Sequence, residues 1–316
     1  MTAAIEARNL SKTFGGERRW FGRARSPVCA VREVSFRVAA GETLGIVGES
    51  GCGKTTLARM LAGLLPPSGG RIRVDGKEPR AGAGPWGGLV QYVFQDPLGA
   101  LNPRKTIRQI MHAPLRHLLG MDAPAREARV AELFDAVNLH LAFLDRYPHE
   151  FSGGQAQRIG IARALAANPR IVVLDEPVSA LDVSVQAQVL NLLADLRRAY
   201  HLTYLLISHD LAVVEAVSDR VAVLYCGAIV ELADAAEVFA CARHPYTRLL
   251  ADSAPVAGRR PAAAAPGELP DAPTRGCAFA ARCSRADAAC RQRAPAPVYT
   301  RKENYVRCFR PLETPR

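Results

Sequence analysis

The sequence predicts an α/β fold built on a largely parallel sheet, and three observations carry that prediction. Short apolar runs alternate with segments of helical periodicity from Ala3 to about Leu250. One of those runs, Thr43 to Val47, leads into Gly48-Glu49-Ser50-Gly51-Cys52-Gly53-Lys54-Thr55, a glycine-rich loop that opens a helix read over Thr56 to Leu65. Another, Ile171 to Leu174, ends in the acidic pair Asp175-Glu176. Sheets of this kind bind ligands beyond the C-terminal ends of their strands.

The remaining elements follow from the same periodicities. Leu89 to Phe94, Tyr204 to Ile207 and Val221 to Tyr225 are the clearest further β-like segments. Between Phe94 and Ile171 the pattern is mainly helical, with Ala125 to Val137 and Gln155 to Ala166 as the clearest helices, so a helical lobe is expected over about 96–168, inserted in a nucleotide-binding domain spanning 1–253. After Ser253 come Pro255, Pro261, Pro266, Pro270 and Pro273 with a run of alanines, which reads as an extended linker over 254–275. A small cysteine-bearing region over 276–316 ends the chain, and no internal repeat is visible.

A chain of 316 residues has room for a substantial core, and 49% hydrophobic with 22% charged residues is ordinary for a globular protein. No apolar run approaches the roughly 18 residues that suggest a membrane span. The start, Met1-Thr2-Ala3-Ala4-Ile5-Glu6, lacks a basic region followed by an apolar core, so a cytoplasmic location with free thiols is expected. The formal charge of +11 suits nucleic acid, an anionic membrane surface or a basic proteome equally. Arg18, Arg19, Arg23, Arg25 and Arg32 cluster with Trp20 and Phe21, which suits contact with lipid head groups or a membrane protein, or a solvated surface loop.

The glycine-rich loop fits the phosphate-cradling pattern at every fixed position. Glycines at 48, 51 and 53 let backbone N–H groups turn inward on phosphate oxygens, and the following helix adds unpaired donors and partial positive charge. Ser50, Gly51, Gly53, Lys54, Thr55 and Thr56 are therefore the expected ATP contacts: Lys54 reaches the β- and γ-phosphates, and Thr55 places its hydroxyl on Mg²⁺. At the end of its strand Asp175 is positioned to hold Mg²⁺ through the water shell, and Glu176 to polarise the water that attacks the γ-phosphate.

Phe151-Ser152-Gly153-Gly154-Gln155, ahead of the helical run Gln157 to Leu165, resembles the signature motif of ATP-binding cassette (ABC) ATPases. Physically, Ser152 is an N-cap-like hydroxyl and the two glycines expose backbone donors, which makes a second anion site in a chain that needs only one. The resemblance covers about residues 3–250 and implies an ABC ATPase core in which Ser152, Gly153, Gly154 and Gln155 serve the ATP of a partner subunit. It further implies that Gln95 is the Q-loop glutamine, a ligand of Mg²⁺ and sensor of the γ-phosphate. Ser179-Ala180-Leu181-Asp182 resembles the D-loop, with Asp182 at the dimer interface. His209 resembles the switch histidine, which joins Glu176 as a catalytic residue, and Phe14 stands where an aromatic stacks on adenine. Family members often have tyrosine there.

Gln95-Asp96-Pro97-Leu98-Gly99-Ala100-Leu101-Asn102-Pro103 and Tyr147-Pro148-His149-Glu150-Phe151 resemble the oligopeptide/dipeptide importer branch, as does the tail from Gly276-Cys277-Ala278-Phe279 onward. One departure is Ala156, where relatives often carry a larger polar or basic residue. Four of the eight cysteines, Cys277, Cys283, Cys290 and Cys308, fall in the tail with gaps of five, six and seventeen residues. Four thiolates suit Zn²⁺ or a [4Fe–4S] cluster, and these gaps match neither common zinc-ribbon nor common ferredoxin spacing, so bound metal and reduced thiols both stand. Resemblance to importer ATPases that hold an iron–sulfur cluster in this tail favours [4Fe–4S], as a structural staple.

The resemblance thus implies an ATPase that powers a membrane importer of di- or oligopeptides from the cytoplasmic face of the inner membrane. It implies a second ABC ATPase subunit, a paralogue giving a heterodimer, two transmembrane permease subunits, and an extracytoplasmic solute-binding protein acting indirectly. Two alternatives stand beside it. One keeps the transporter and changes the cargo to nickel, glutathione or another small solute. The other is a soluble cassette ATPase acting on nucleic acid or ribosomes; such proteins usually carry two cassettes or large insertions, and one cassette is visible here. No nucleic-acid partner is expected.

Overall fold

The computed structural model describes residues 3–15, 27–78, 87–253, 275–301 and 303–313. The cluster of Arg18, Arg19, Trp20, Phe21, Arg23 and Arg25, and the prolines at 255, 261, 266, 270 and 273, lie outside the described residues.

Two sheets and the helices around them form the fold. Strands β1 (Ala3–Phe14), β2 (Val28–Ala39) and β4 (Gly69–Val74) make an antiparallel sheet in the order β2-β1-β4. The main sheet contains β3 (Thr43–Val47), β5 (Val90–Val93), β6 (Ile171–Asp175), β7 (Thr203–Ile207), β8 (Arg220–Tyr225), β9 (Ala228–Asp234), β10 (Val298–Tyr299) and β11 (Tyr305–Val306). Its order is β10-β11-β9-β8-β3-β7-β6-β5. Neighbours from β8 to β5 pair in parallel, and β9, β11 and β10 extend the sheet antiparallel.

Every residue of β3, β6 and β7 is buried, which is why these strands read as unbroken apolar runs. Their side chains alternate between two cores. Leu44, Ile46, Ile171, Val173, Leu205 and Ile207 face one side, with Leu57, Met60 and Leu61 of α1 (Lys54–Leu61) and with Ile5, Val31 and Phe36 of the antiparallel sheet. Val47, Val172, Leu174, Tyr204 and Leu206 face the other, with α2 (Ile107–His117), α3 (Ala123–Ala136), α4 (Gly153–Leu165) and α5 (Val183–Tyr200). The period of two along each strand thus assigns one face to the helical lobe and the other to the phosphate-loop helix.

The lobe's helices start where the sequence supplies caps. The Thr106 hydroxyl accepts from Gln109 N–H and the Gln109 side chain accepts from Thr106 N–H, a reciprocal box at the start of α2. Asp122 accepts from Ala125 N–H ahead of α3, which has a proline in its first turn. Beyond α5 the chain adds α6 (Leu211–Val217), α7 (Ala235–Ala240) and α8 (Pro245–Ser253). The cysteine-bearing segment holds α9 (Ala288–Gln292) and joins the main body: β11 pairs with β9, and Phe279 is 3% exposed in the core.

No helix among the described residues is long and apolar enough to cross a membrane.

Candidate functional site

The loop from Gly48 to Thr55 leaves the end of β3 and enters α1 at Lys54. Gly53 holds φ at 107°, and a Cβ there would strike the Ala30 carbonyl. Only glycine occupies that conformation without strain. Lys54 is 6% exposed, and its ammonium donates to the carbonyls of Gly48 at 2.7 Å and Glu49 at 2.9 Å. These two bonds fold the lysine back along the loop. Ser50 and Gly51 are exposed on the rim, and Thr55 and Thr56 are half-buried in the first turn of α1.

The carboxylates arrive from β6. Asp175 ends that strand 5% exposed, with Thr55 Oγ1 3.5 Å from its Oδ1 and the Tyr92 hydroxyl donating to its Oδ2. Burial pushes its carboxyl above the ordinary range, and the Tyr92 bond opposes that shift by favouring the ionised form. Thr55 and Asp175 present hydroxyl and carboxylate oxygens, the hard donors that Mg²⁺ takes. The residues present therefore fit the metal.

Glu176 comes next and turns sharply, at φ 48°, in the left-handed region that a non-glycine residue seldom adopts. Its N–H donates to Ile207 carbonyl at 2.9 Å, which fixes the turn against β7. The turned side chain meets Gln95, just past β5, whose Nε2 lies 2.8 Å from Oε2. It also meets His209, just past β7, whose Nδ1 lies 3.0 Å from Oε1. Three neighbouring strands thus deliver Gln95, Glu176 and His209 to one point, beside the Lys54 loop of β3.

The signature segment lies at the start of α4. Ser152 is its N-cap: Oγ accepts from Gln155 N–H at 3.4 Å, and the Gln155 side chain accepts from Ser152 N–H at 3.1 Å. Ser152 and Gly153 are exposed. The glycines are needed where α5 approaches, because a Cβ on Gly154 would lie 2.6 Å from Val185 Cγ1 and one on Gly153 3.3 Å from Leu181 Cδ2. Ala156 is fully buried, so the departure from larger polar residues suits a packed helix entrance. Asp182 is exposed at the start of α5 beside Val183, an apolar side chain 81% exposed. Phe14 ends β1 at 43% exposure, with the Lys12 ammonium 5.4 Å from its ring centroid.

Two concavities, of about 830 Å³ beside Arg197 and His201 and about 920 Å³ beside Arg8 and Arg37, include none of the phosphate-loop or Glu176 residues. The phosphate-loop residues, Gln95, Glu176 and His209 follow the C-terminal ends of β3, β5, β6 and β7 and line neither concavity.

The tail cysteines are free thiols, with Cys290 buried and Cys277, Cys283 and Cys308 half-buried. Burial is the first cause that raises Cys277, and it pushes Cys308 up to about 11; in each case the other tail thiols lie close enough to add to the shift. Cys277 N–H donates to Cys290 carbonyl at 2.7 Å, which ties the two ends of this segment together. The expected metal tetrad is nevertheless not formed: among the described residues no group of three or more His, Cys, Asp or Glu side chains is arranged to hold a metal ion. Burial favours the neutral form of Cys277 and Cys308, and thiolates without a cation between them would repel one another, so nothing in the segment itself draws the four sulfurs to a common centre.

Sequence reasoning did not single out Tyr92. Its only local signal was a polar tip in a short strand that also holds Gln91, and the partner, Asp175, lies 83 residues away.

A family model described as ABC transporter matches residues 31–179, and one described as oligopeptide/dipeptide transporter, C-terminal region, matches residues 230–290. The chain is 50% identical over 287 residues to a putative peptide import ATP-binding protein of Brucella abortus, covering 88% of this chain and 86% of that protein. It is 44% identical over 332 residues to the oligopeptide transport ATP-binding protein AppF of Bacillus subtilis, covering 98% and 99%. It is 44% identical over 313 residues to the probable D,D-dipeptide transport ATP-binding protein DdpF of Escherichia coli, covering 98% of each. Among solved structures, an ATP-binding cassette dimer in a post-hydrolysis state with ADP and Pi matches with a TM-score of 0.64 at 26% identity, over 73% of this chain and 98% of that one. A Clostridium perfringens cassette, part of the transporter complex cbiONQ, matches with a TM-score of 0.65 at 25% identity, over 76% and 92%.

Proposed function

The chain belongs to the ABC transporter family of ATPases, and from that premise we propose that it is the ATP-hydrolysing subunit of a membrane importer for di- or oligopeptides. The observation that carries the reading is the convergence of Gln95, Glu176 and His209 beside the Lys54 loop, in a chain whose relatives are named as peptide-import ATP-binding proteins.

Lys54 exchanges its two loop carbonyls for phosphate oxygens when the nucleotide enters, so that its charge stabilises the β- and γ-phosphates. Thr55, Asp175 and Gln95 would hold Mg²⁺, which would supply positive charge to stabilise the phosphates. Glu176 takes a proton from the attacking water, and His209 and Gln95 fix the carboxylate that does so. Phe14 offers a ring face to the adenine.

The open edge asks for a second cassette. Ser152, Gly153 and Asp182 are exposed with Gly154 and Gln155 half-buried beside them, at the N-terminal starts of α4 and α5, and Val183 adds an apolar contact. Two cassettes closing head to tail sandwich each ATP between one subunit's Lys54 loop and its partner's Ser152 segment, and a paralogue is the partner we infer. Leu98, Leu118, Leu119 and Leu141 are exposed on the lobe, which suits a docking face for two permease subunits at the cytoplasmic face of the inner membrane. A solute-binding protein outside the membrane acts through those permeases.

A [4Fe–4S] cluster on Cys277, Cys283, Cys290 and Cys308 remains a separate proposal. The gathering of four thiols in one neighbourhood supports it, and their present arrangement is not a ligand set. Iron and sulfide analysis of protein purified without oxygen decides it.

The function is tested by ATP hydrolysis in lipid vesicles that hold the protein with the permease and ATPase subunits encoded beside its gene. Stimulation by a peptide-loaded binding protein is expected. Hydrolysis indifferent to peptide and membrane partners would favour a soluble role, and stimulation by nickel or glutathione in place of peptide would change the cargo.

A further inference from the structure

Glu49 is an unusual neighbour for a phosphate. It is the second residue of the cradle, between Gly48 and Ser50, and its carboxylate is negative in a loop built to receive the negative charges of a nucleotide. Its backbone is pinned, because Glu49 N–H donates to the Tyr246 hydroxyl at 2.9 Å. Its side chain is captured by the C-terminal region. Arg282 Nη1 donates to Oε2 at 2.7 Å and Nη2 to Oε1 at 2.8 Å, a two-pronged pair joining residues 233 positions apart.

The pair rests on a built floor. Tyr225, Tyr246 and Phe279 are nearly or fully buried and pack ring against ring, with centroids 4.5 to 5.4 Å apart. The Arg282 guanidinium lies 5.8 Å from the ring centroids of both Tyr225 and Phe279. Tyr225 ends β8, Tyr246 opens α8, and Phe279 comes from the tail. The guanidinium is thus held in place by packing before it meets the carboxylate, and it is only 21% exposed, so solvent screens the contact weakly.

We propose that Arg282 is a positioning residue for nucleotide binding: it neutralises Glu49 and turns that carboxylate away from the phosphate site, so that the C-terminal region sets the affinity of the phosphate loop. With Arg282 gone, the Glu49 carboxylate repels the incoming phosphates and competes with them for Lys54, whose ammonium already bonds the Glu49 carbonyl. The inference rests on the reading of residues 48–55 as the nucleotide loop and is independent of the transported cargo.

Titration calorimetry of the purified full-length protein with MgADP tests it, on the wild type, Arg282→Ala and the double variant Arg282→Ala/Glu49→Gln. Arg282→Ala is expected to weaken binding about tenfold, and the double variant to recover to within about twofold of wild type, because the unpaired charge is then absent. Arg282→Lys, which keeps charge and loses the fork, is expected between them and serves if Arg282→Ala does not fold. Binding unchanged in Arg282→Ala overturns the proposal. So does a loss that Glu49→Gln fails to relieve, which assigns the effect to the aromatic floor. If Arg282→Ala does not fold, Arg282→Lys binding weaker than Arg282→Lys/Glu49→Gln is required in its place. Failure of the wild type to bind MgADP would instead sink the nucleotide reading itself.

Discussion

Glu176 and His209 face each other across the ends of two neighbouring strands, with His209 Nδ1 3.0 Å from Glu176 Oε1. Topology brings them near each other: β6 and β7 pair in parallel with Asp175 opposite Ile207, so Glu176, one residue past its strand, and His209, two past its own, leave neighbouring strand ends. Gln95 holds the other carboxylate oxygen. A carboxylate oriented from both sides is suited to take a proton from a water at one position.

Glu176→Gln keeps the shape of this contact and removes the base. ATP hydrolysis is expected to fall about 10²- to 10⁴-fold while nucleotide binding persists. Phosphate release and MgATP binding, measured on the same preparation, separate the two effects. Equal loss of both would assign Glu176 to binding.

Tyr92→Phe removes the hydroxyl that bonds Asp175 Oδ2 and leaves a buried carboxylate oxygen without that donor. A loss of about 1–3 kcal/mol in denaturant unfolding is expected without nucleotide. Because the Tyr92 bond favours the ionised form, its loss pushes the Asp175 carboxyl further up. The Mg²⁺ concentration for half-maximal hydrolysis should then rise most at low pH, and an unchanged Mg²⁺ dependence counts against Asp175 as a ligand.

Gly53→Ala places a Cβ against the Ala30 carbonyl at a φ of 107°. The loop must shift to relieve it, and strain of this kind costs about 1–3 kcal/mol. MgADP affinity should fall at least about tenfold. Retained affinity would show that the cradle tolerates a different backbone.

His244 is 1% exposed, and burial holds its imidazole down at about 4. Its Nδ1 accepts from Tyr246 N–H at 3.0 Å, so protonation also breaks a bond at the start of α8. A folded value below the unfolded one means that the unfolded chain binds more protons between about pH 4 and 6.5. Stability from this group is complete above that window and declines as pH falls through it, by on the order of 3 kcal/mol in all. Glu231, which accepts from His244 N–H, is shifted upward by its own burial and works in the opposite sense. The difference between wild type and His244→Asn therefore isolates the histidine: the unfolding free energy of the variant should decline less between pH 6.5 and 4.5. Equal slopes would contradict the assignment.

The parts of the fold carried by contiguous sequence were legible in it. Thr43–Val47 was read to the residue, and the β6, β7 and β8 runs to within one, because strands buried on both faces leave unbroken apolar runs. The antiparallel sheet of β1, β2 and β4 was not read. Its strands carry polar residues on an exposed face, and β1 breaks its register around Asn9, at φ 49°, so no clean alternation survives. The addition of β11 to β9 was invisible for a different reason: two-residue strands have no period, and their pairing spans more than 70 positions.

The candidate site divides in the same way. Lys54, Thr55, Asp175 and Glu176 follow legible strands, so the phosphate-loop pattern and the acidic pair marked a common edge, whereas His209 was reached only through the family resemblance. Tyr92 and Arg282 act through partners 83 and 233 positions distant, and no local pattern marks them. The tail cysteines show the limit of counting: four thiols in one region suggested a tetrad, while the shape of that region depends on burial and backbone bonds that spacing does not encode.

The most direct test of the account is accumulation of a labelled peptide by vesicles that contain the assembled transporter with ATP enclosed on the cassette side and peptide-loaded binding protein outside. Wild type is predicted to accumulate peptide in proportion to ATP hydrolysed, and Glu176→Gln to bind ATP and accumulate none. Accumulation by the Glu176→Gln transporter at the wild-type rate, or wild-type hydrolysis that moves no peptide, would contradict it.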